Sequence, residues 1–497
     1  MKKAISLIIF TLLLSISFAQ LRSLEKRKHN VNKLLKQIAA FPGFKTAGFA
    51  FYAVDMQSGE TIALLNPDMT LKPASTLKLL TTATALELLG PDFQFETKLE
   101  YSGEIDTASH VLRGDIIIEG GGDPTLGSKY FETTSDRHFL SEWAEALKSL
   151  GIDSLSGRVI GDAGVFSRDI VPPTWSWQNM GNYFGAGPCG LSVFDNYYTV
   201  FFNTNGKVGD TAEIAGIQPG YLQLRFDNAV SGDSISYDNA NIFGAPYSKR
   251  RYMRGQLPLN RQHFGVKGSL PDPALAAALA LDSTLNKEGL LSGEEATTIR
   301  RLQSKNHPIP KTGTKLFTTY SPVLSEIIAQ TNIHSINLFA EHCLMAAGIK
   351  LGAAAETPVA VDSVISFWTK KGMDTRGMSL NDGSGLSQYN AVSPRQMVFL
   401  LKYMKQNSEN FHVFYNSIAI AGETGTIKNM FKGSIAEGNL RAKSGTISRS
   451  KAYAGYVTSK SGREIAFSMV VNNFSCTSSE ARAKLEQLMI ALAEFNK

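Results

Sequence analysis

The chain has 497 residues, 43% of them hydrophobic and 19% charged, with 50 basic and 44 acidic side chains and a formal net charge of +6. This is globular composition, enough for about three domains and a large core without disulfide or metal support, and it excludes disordered, fibrous and collagen-like classes. The weak positive balance, with no basic stripe interleaved with aromatics, argues against a nucleic-acid partner.

Residues 1–20 read MKKAISLIIFTLLLSISFAQ: two lysines, an apolar run from Ala4 to Phe18, then small residues at Ser17 and Ala19. The pattern predicts a secretory signal peptide over residues 1–19 and hence a periplasmic protein. The apolar run is shorter than the ~20 residues that span a bilayer, no other segment is longer and free of charge, and no cysteine follows to carry a lipid, so no transmembrane anchor is expected. Cys189, Cys343 and Cys476 lie far apart, and their odd number leaves at least one thiol free. Burial as apolar side chains is the expectation, with one disulfide left open.

Thr46 to Asp55 alternates as a strand, Ser58-Gly59 turns, and Thr61 to Asn66 returns, which predicts a β-hairpin. Pro73 then opens a helix that Gly90-Pro91 ends. From about Phe93 to Thr314 short strands alternate with Gly, Asp and Pro, as expected of a β-rich insertion. Tyr320 to Lys350 returns to helical periodicity. Lys451 to Val457 and Glu464 to Val471 are two further strands, and Ser478 to Phe495 is an amphipathic terminal helix capped by Thr477 or Ser478. The strands of both ends are expected to share one antiparallel sheet beneath that helix.

Ser75 and Lys78 stand three residues apart at a helix start, so their side chains share a face and the amine can take the hydroxyl's proton. The spacing alone is weak, since Ser23 with Lys26 and Ser448 with Lys451 repeat it; the position after a hairpin distinguishes Ser75. Ser335 and Asn337, between two helical stretches, can present a hydroxyl and an amide to a cleft, although Ser335 also reads as a helix N-cap. Lys443-Ser444-Gly445-Thr446 joins a positive charge, a glycine that permits close approach, and hydroxyls fit for a carboxylate. Lys311-Thr312-Gly313-Thr314 is a rival with better spelling. His334 and His342 flank Ser335, but no G-x-S-x-G elbow supports a Ser-His-Asp triad. The run Gly120 to Gly122 lacks a following G-K-[ST], so it reads as a turn, and no cofactor or metal is expected.

The ordered set S-x-x-K, S-x-N and K-[ST]-G resembles that of penicillin-recognising serine enzymes. Order, and the hairpin that follows, favour Lys443 over Lys311. Within that group the chain resembles the D-alanyl-D-alanine carboxypeptidase/endopeptidase family of penicillin-binding protein 4 type, through the long gap from Ser75 to Ser335, GGGDPTL at Gly120 to Leu126, VKGSLPDPAL at Val266 to Leu275, and NDGSGLS at Asn381 to Ser387. The resemblance implies an α+β, serine β-lactamase/DD-peptidase-like catalytic domain, an antiparallel sheet flanked by helices. Residues 20–92 and 315–497 would build it around an insertion, 93–314, of two subdomains. It implies a serine peptidase acting on peptidoglycan peptides ending in D-Ala-D-Ala and inhibited by β-lactam antibiotics. Ser75 would be the nucleophile and Lys78 the base, with Ser335, Asn337 and Lys443 also catalytic and Ser444, Gly445 and Thr446 binding substrate. The loop Asp382 to Gly385 reads as structural, near the cleft. Relatives place an acidic residue in the tryptophan-rich insertion segment against the amino group of the peptide side chain; Asn179 stands there in this chain. A serine β-lactamase or esterase on the same fold, and a non-catalytic cell-wall or antibiotic-sensing module, are the rival readings.

Overall fold

The two chain ends meet in one sheet. In the computed structural model, which describes residues 30–135, 138–310 and 313–496, five antiparallel strands lie in the order Arg441–Ile447, Ser450–Thr458, Glu464–Asn472, Gly48–Asp55, Thr61–Leu65. Gly48 pairs with Asn472 and Asp55 with Ile465, so the first long strand runs the full length of the last. Both faces of the inner strands Ser450–Thr458 and Glu464–Asn472 are covered, which is why eight of the nine residues of each are buried rather than every second one. Alternate residues feed two cores. Phe51, Phe467, Met469 and Tyr453 pack under the terminal helix Ser478–Ala493, while Val54, Ala454, Tyr456 and Ala466 pack against the helices of the opposite face. Thr477 caps the terminal helix, its hydroxyl accepting from the Glu480 N–H while the Glu480 carboxylate accepts from the Thr477 N–H.

On that opposite face the helix Leu77–Leu89 is buried through its first ten residues. It lies against Leu324–His334 and Asn337–Lys350. Its threonines fit an apolar setting because each hydroxyl finds a carbonyl: Thr82 donates to Lys78 O, Thr84 to Leu80 O and Thr81 to Gly383 O. Trp368 Nε1 in turn donates to Thr84 Oγ1. Gly90 ends the helix at φ 84°, a conformation open to glycine at little cost.

The insertion has its own core. A five-stranded sheet runs Thr297–Thr298, Val159–Asp162, Ile116–Gly120, Glu96–Tyr101, Thr314–Tyr320, and three smaller sheets follow from the remaining strands. Because Thr314–Tyr320 pairs with Glu96–Tyr101, the last strand of this unit continues past residue 314. Tyr320, read from the sequence as the start of a helical stretch, ends that strand, and the next helix begins at Leu324. The unit also carries helices, at His138–Lys148 and Pro273–Lys287, the latter capped by Asp272, whose carboxylate accepts the Leu275 N–H. All three cysteines are free; Cys189 and Cys343 are buried and Cys476 is half-buried. The expected leader over residues 1–19, and Ser23 and Lys26, lie outside the described residues.

Candidate active site

Ser75 does not sit in an α-helical turn. Ala74–Thr76 forms a tighter 3-10 turn that leads into Leu77–Leu89, and Ala74 is held at φ 47°, where an L-residue costs about 1–2 kcal/mol. Two glycines clamp this turn. A Cβ on Gly445 would lie 2.7 Å from Pro73 O and 2.9 Å from Ser75 N, and a Cβ on Gly385 would lie 1.9 Å from Ala74 O. Neither position has room for a side chain, so the strand Arg441–Ile447 and the loop around Gly385 both touch the backbone of Ser75.

Lys78 is fully buried. Its Nζ lies 3.0 Å from Ser75 Oγ, 2.7 Å from Asn337 Oδ1 and 2.7 Å from the Ser384 carbonyl. Asn337 Nδ2 donates to Phe184 O at 2.7 Å, which fixes the amide so that its oxygen faces the lysine. The Asn337 and Ser384 oxygens can only accept. A neutral amine therefore spends its two N–H groups on them and aims its lone pair at the Ser75 hydroxyl. Burial lowers the Lys78 pKa to about 7, against a smaller opposing pull from Asp382 and Glu341. The group is poised to be a base near neutral pH.

Ser335 closes the helix Leu324–His334 in the left-handed conformation, φ 60°, and Ile336 precedes the helix that starts at Asn337. Ser335 is thus a C-cap, not the N-cap its residue type suggested, and the sharp turn brings its hydroxyl to Lys443, whose Nζ donates to it at 2.9 Å and to Ser444 O at 3.0 Å. Lys443 is fully buried with no carboxylate among these partners; burial, and then the charge of Lys78, push its pKa well down. Those two bonds use both N–H groups of a neutral amine; a third donor exists only in the ammonium form, which an anion placed beside it favours.

Lys443 to Thr446 lie on the outermost strand of the sheet. Ala442 N–H points outward to Ala419 O, and by the alternation of an antiparallel pair the N–H groups of Ser444 and Thr446 face the same open edge. Ser444 Oγ donates to Thr426 Oγ1 at 2.7 Å, and Thr446, exposed, accepts from Lys451 Nζ at 3.2 Å.

The loop Asp382 to Gly385, read from the sequence as structural, covers Lys78, and it is held by a residue that carries no sequence motif. Glu341, fully buried, accepts the N–H groups of Gly383 and Ser384 at 3.0 and 2.8 Å. Asp382 accepts from the Gly385 and Ser387 N–H groups, from Asn390 Nδ2, and from Trp175 Nε1 of the insertion at 2.8 Å. Together they hold the Ser384 carbonyl on Lys78. Burial, and next the Asp382 charge, raise the Glu341 pKa.

Asn179 is half-buried in the four-residue helix Trp177–Met180, and its carbonyl oxygen lies 1.9 Å from where a Gly185 Cβ would stand; it is not in the hydrogen-bonded set around Ser75. His342 is structural: Nδ1 is 2.6 Å from Gly122 O, Nε2 is 3.1 Å from Ser192 Oγ, and burial lowers its pKa to about 4. Lys311 and Thr312 lie outside the described residues. Among the described residues no cluster of His, Cys, Asp and Glu could hold a metal ion.

Residues 30–495 match the model of the D-Ala-D-Ala carboxypeptidase 3 (S13) family. The chain is 28% identical over 475 residues to the D-alanyl-D-alanine carboxypeptidase of Actinomadura sp. (strain R39), covering 91% of this chain and 82% of that one. It is 25% identical over 445 residues to D-alanyl-D-alanine carboxypeptidase DacB of Haemophilus influenzae, covering 88% of each. The crystal structure of penicillin binding protein 4 from Haemophilus influenzae superposes with a TM-score of 0.78 at 25% identity, covering 94% of this chain and 100% of that one.

Glu341→Ala would leave two buried N–H groups unpaired, at about 1–3 kcal/mol each, so a destabilisation of roughly 2–6 kcal/mol is expected in urea unfolding. A change below ~0.5 kcal/mol would mean that the loop over Lys78 is held by something else.

Proposed function

The chain belongs to the D-Ala-D-Ala carboxypeptidase 3 (S13) family, and on that premise we propose that Ser75 forms the acyl-enzyme by which it cleaves peptidoglycan stem peptides ending in D-Ala-D-Ala. It is a serine-type DD-carboxypeptidase of the penicillin-binding protein 4 type, with that fold. The observation that carries the role of Ser75 is the buried Lys78 amine, within 3.0 Å of the hydroxyl and bound on its other sides by two acceptors.

The steps follow from the geometry. Neutral Lys78 takes the Ser75 proton as Oγ attacks the carbonyl carbon of the penultimate D-Ala. The N–H groups of Ser75 and Thr446 stabilise the oxyanion; Gly445 lets them approach the same point. The substrate's terminal carboxylate takes the third donor of Lys443, with the Ser444 and Thr446 hydroxyls beside it, and its charge offsets the burial that disfavours an ammonium there. As the C–N bond breaks, the proton that Lys78 took from Ser75 passes through the Ser335 hydroxyl to the leaving amine, which leaves Lys78 neutral again. Water, deprotonated by Lys78, then attacks the ester and frees Ser75. A β-lactam presents the same carboxylate and an acylating carbonyl, so it would occupy the same positions. Asn337 joins this site to the insertion through Phe184, and we place the stem-peptide side chain against the Trp175–Gly190 loop, with Asn179 as the residue that meets it. The leader-like pattern at residues 1–19 supports a periplasmic site of action, and no described helix is long and apolar enough to cross a membrane.

A fluorescent penicillin is expected to label wild-type protein but not Ser75→Ala. Rapid turnover of the drug in place of a lasting adduct would indicate a β-lactamase instead. Lys443→Ala should lower kcat/KM roughly 10- to 150-fold by loss of a charge-assisted contact.

The pH profile tests the base. Below about pH 7 Lys78 is an ammonium without a lone pair, so acylation should fall about tenfold per pH unit and level off above 7. A rate still climbing at pH 10 would assign the proton to another group. Asn179→Asp should raise kcat/KM for peptides with a free side-chain amine more than for their acetylated forms; equal effects would remove it from the substrate pocket.

A further inference from the structure

Next to the Ser335 turn the insertion holds two lysines on shared aromatic rings. The ring of Tyr130 packs on that of His334, with centroids 5.5 Å apart, and His334 directly precedes Ser335. Lys129 Nζ lies 4.9 Å from the centre of the Tyr130 ring and 5.3 Å from that of Tyr197. Lys267 Nζ lies 4.7 Å from the same Tyr197 centre. The cation–aromatic contacts stabilise each ammonium, yet two like charges share one ring at an electrostatic cost.

Among the described residues no carboxylate pairs with either ammonium from the solvent side. The carboxylate that bears on both lysines, Asp195, is buried and accepts from Ser128 Oγ at 2.6 Å. Neither lysine forms an ion pair among the described residues. Lys428, exposed and two residues beyond the Thr426 that meets Ser444, adds a further charge. Burial lowers the pKa of His334, and Lys129 and Lys428 lower it further, so both charges are felt at the turn that carries Ser335.

We propose that Lys129 and Lys267, seated on Tyr130 and Tyr197, form a subsite for a carboxylate on the leaving strand of a cross-linked peptide substrate. The inference rests on the acyl-enzyme reading, because there Ser335 protonates the leaving amine, and a group beside Ser335 therefore faces what leaves. In a single stem the leaving group is one D-Ala, whose carboxylate Lys443 binds. In a cross-linked fragment the amine belongs to a second stem, which brings carboxylates of its own. The paired lysines supply the charge for one of them, and the tyrosine rings supply an apolar wall.

The test uses full-length protein with Ser75→Ala, which cannot turn substrate over, titrated calorimetrically with a dimeric stem peptide whose leaving strand has free carboxyl groups and with its amidated counterpart. The free-carboxyl dimer should bind about tenfold or more tightly than the amidated one, and Lys129→Met with Lys267→Met should abolish the difference. In the active enzyme the same double variant should lower kcat/KM on the free-carboxyl dimer roughly 10- to 100-fold while leaving a short D-Ala-D-Ala peptide within about twofold. Equal affinity for the two dimers, or equal losses on dimer and short peptide, would overturn the subsite. Penicillin labelling of the wild type reads the parent function separately: labelling with no dimer discrimination overturns the subsite alone, and absence of labelling overturns both.

Discussion

An amine without a carboxylate beside it is the constraint on which this molecule is built. Lys78 is buried, and its three hydrogen-bond partners are a hydroxyl, an amide oxygen and a backbone carbonyl. A carboxylate in any of those places would hold the proton on nitrogen and remove the base. Neutral acceptors instead leave burial as the dominant influence. The acids that do act on Lys78, Glu341 and Asp382, are turned toward backbone N–H groups of the loop above it. Buried carboxylates so placed shape the loop and temper the lysine without quenching it.

Those partners come from segments distant in sequence, so the site exists only when the whole chain is folded. The turn at Ser75, the helix start at Asn337 and the loop at Ser384 must converge, and Gly445 and Gly385 allow the backbones to approach closely enough. The insertion takes part in this convergence. Phe184 O fixes the Asn337 amide, and Trp175 Nε1 ties Asp382. It is tied to the surroundings of Lys78 through these two hydrogen bonds.

The parts of the site that were legible in the sequence are those whose geometry is local or whose order is distinctive. Ser75 and Lys78 meet because three residues separate them, and the strand after Lys443 was readable from its alternation and its turn. The place of Ser335 between two helical stretches was legible, but its conformation was not: a serine between two helices fits an N-cap, and only the left-handed turn shows it as a C-cap. Glu341 left no signal, since its role depends on backbone N–H groups far away in sequence; the aromatic, Gly-rich stretch Trp175 to Gly190 stood out, but the bond from Trp175 to a carboxylate far away in sequence did not. Ser384 contributes a carbonyl, which every residue has. In the insertion, Asp272-Pro273 is a helix-start signal and Phe139, Leu140, Trp143, Ala144 and Leu147 follow helical spacing. Both helices were overshadowed by the Gly- and Pro-rich strands around them.

The central claim is that Lys78 exchanges its proton near neutral pH in the resting protein, so that a substantial share of it is the neutral amine. Nuclear magnetic resonance of the protein with 13C-labelled lysine, with the Lys78 signal assigned by its loss in Lys78→Arg, follows that proton directly. A titration midpoint at about 7 is the expected result. A midpoint close to the ordinary lysine value of about 10.4 would contradict the account, because a charged Lys78 has no lone pair to offer Ser75.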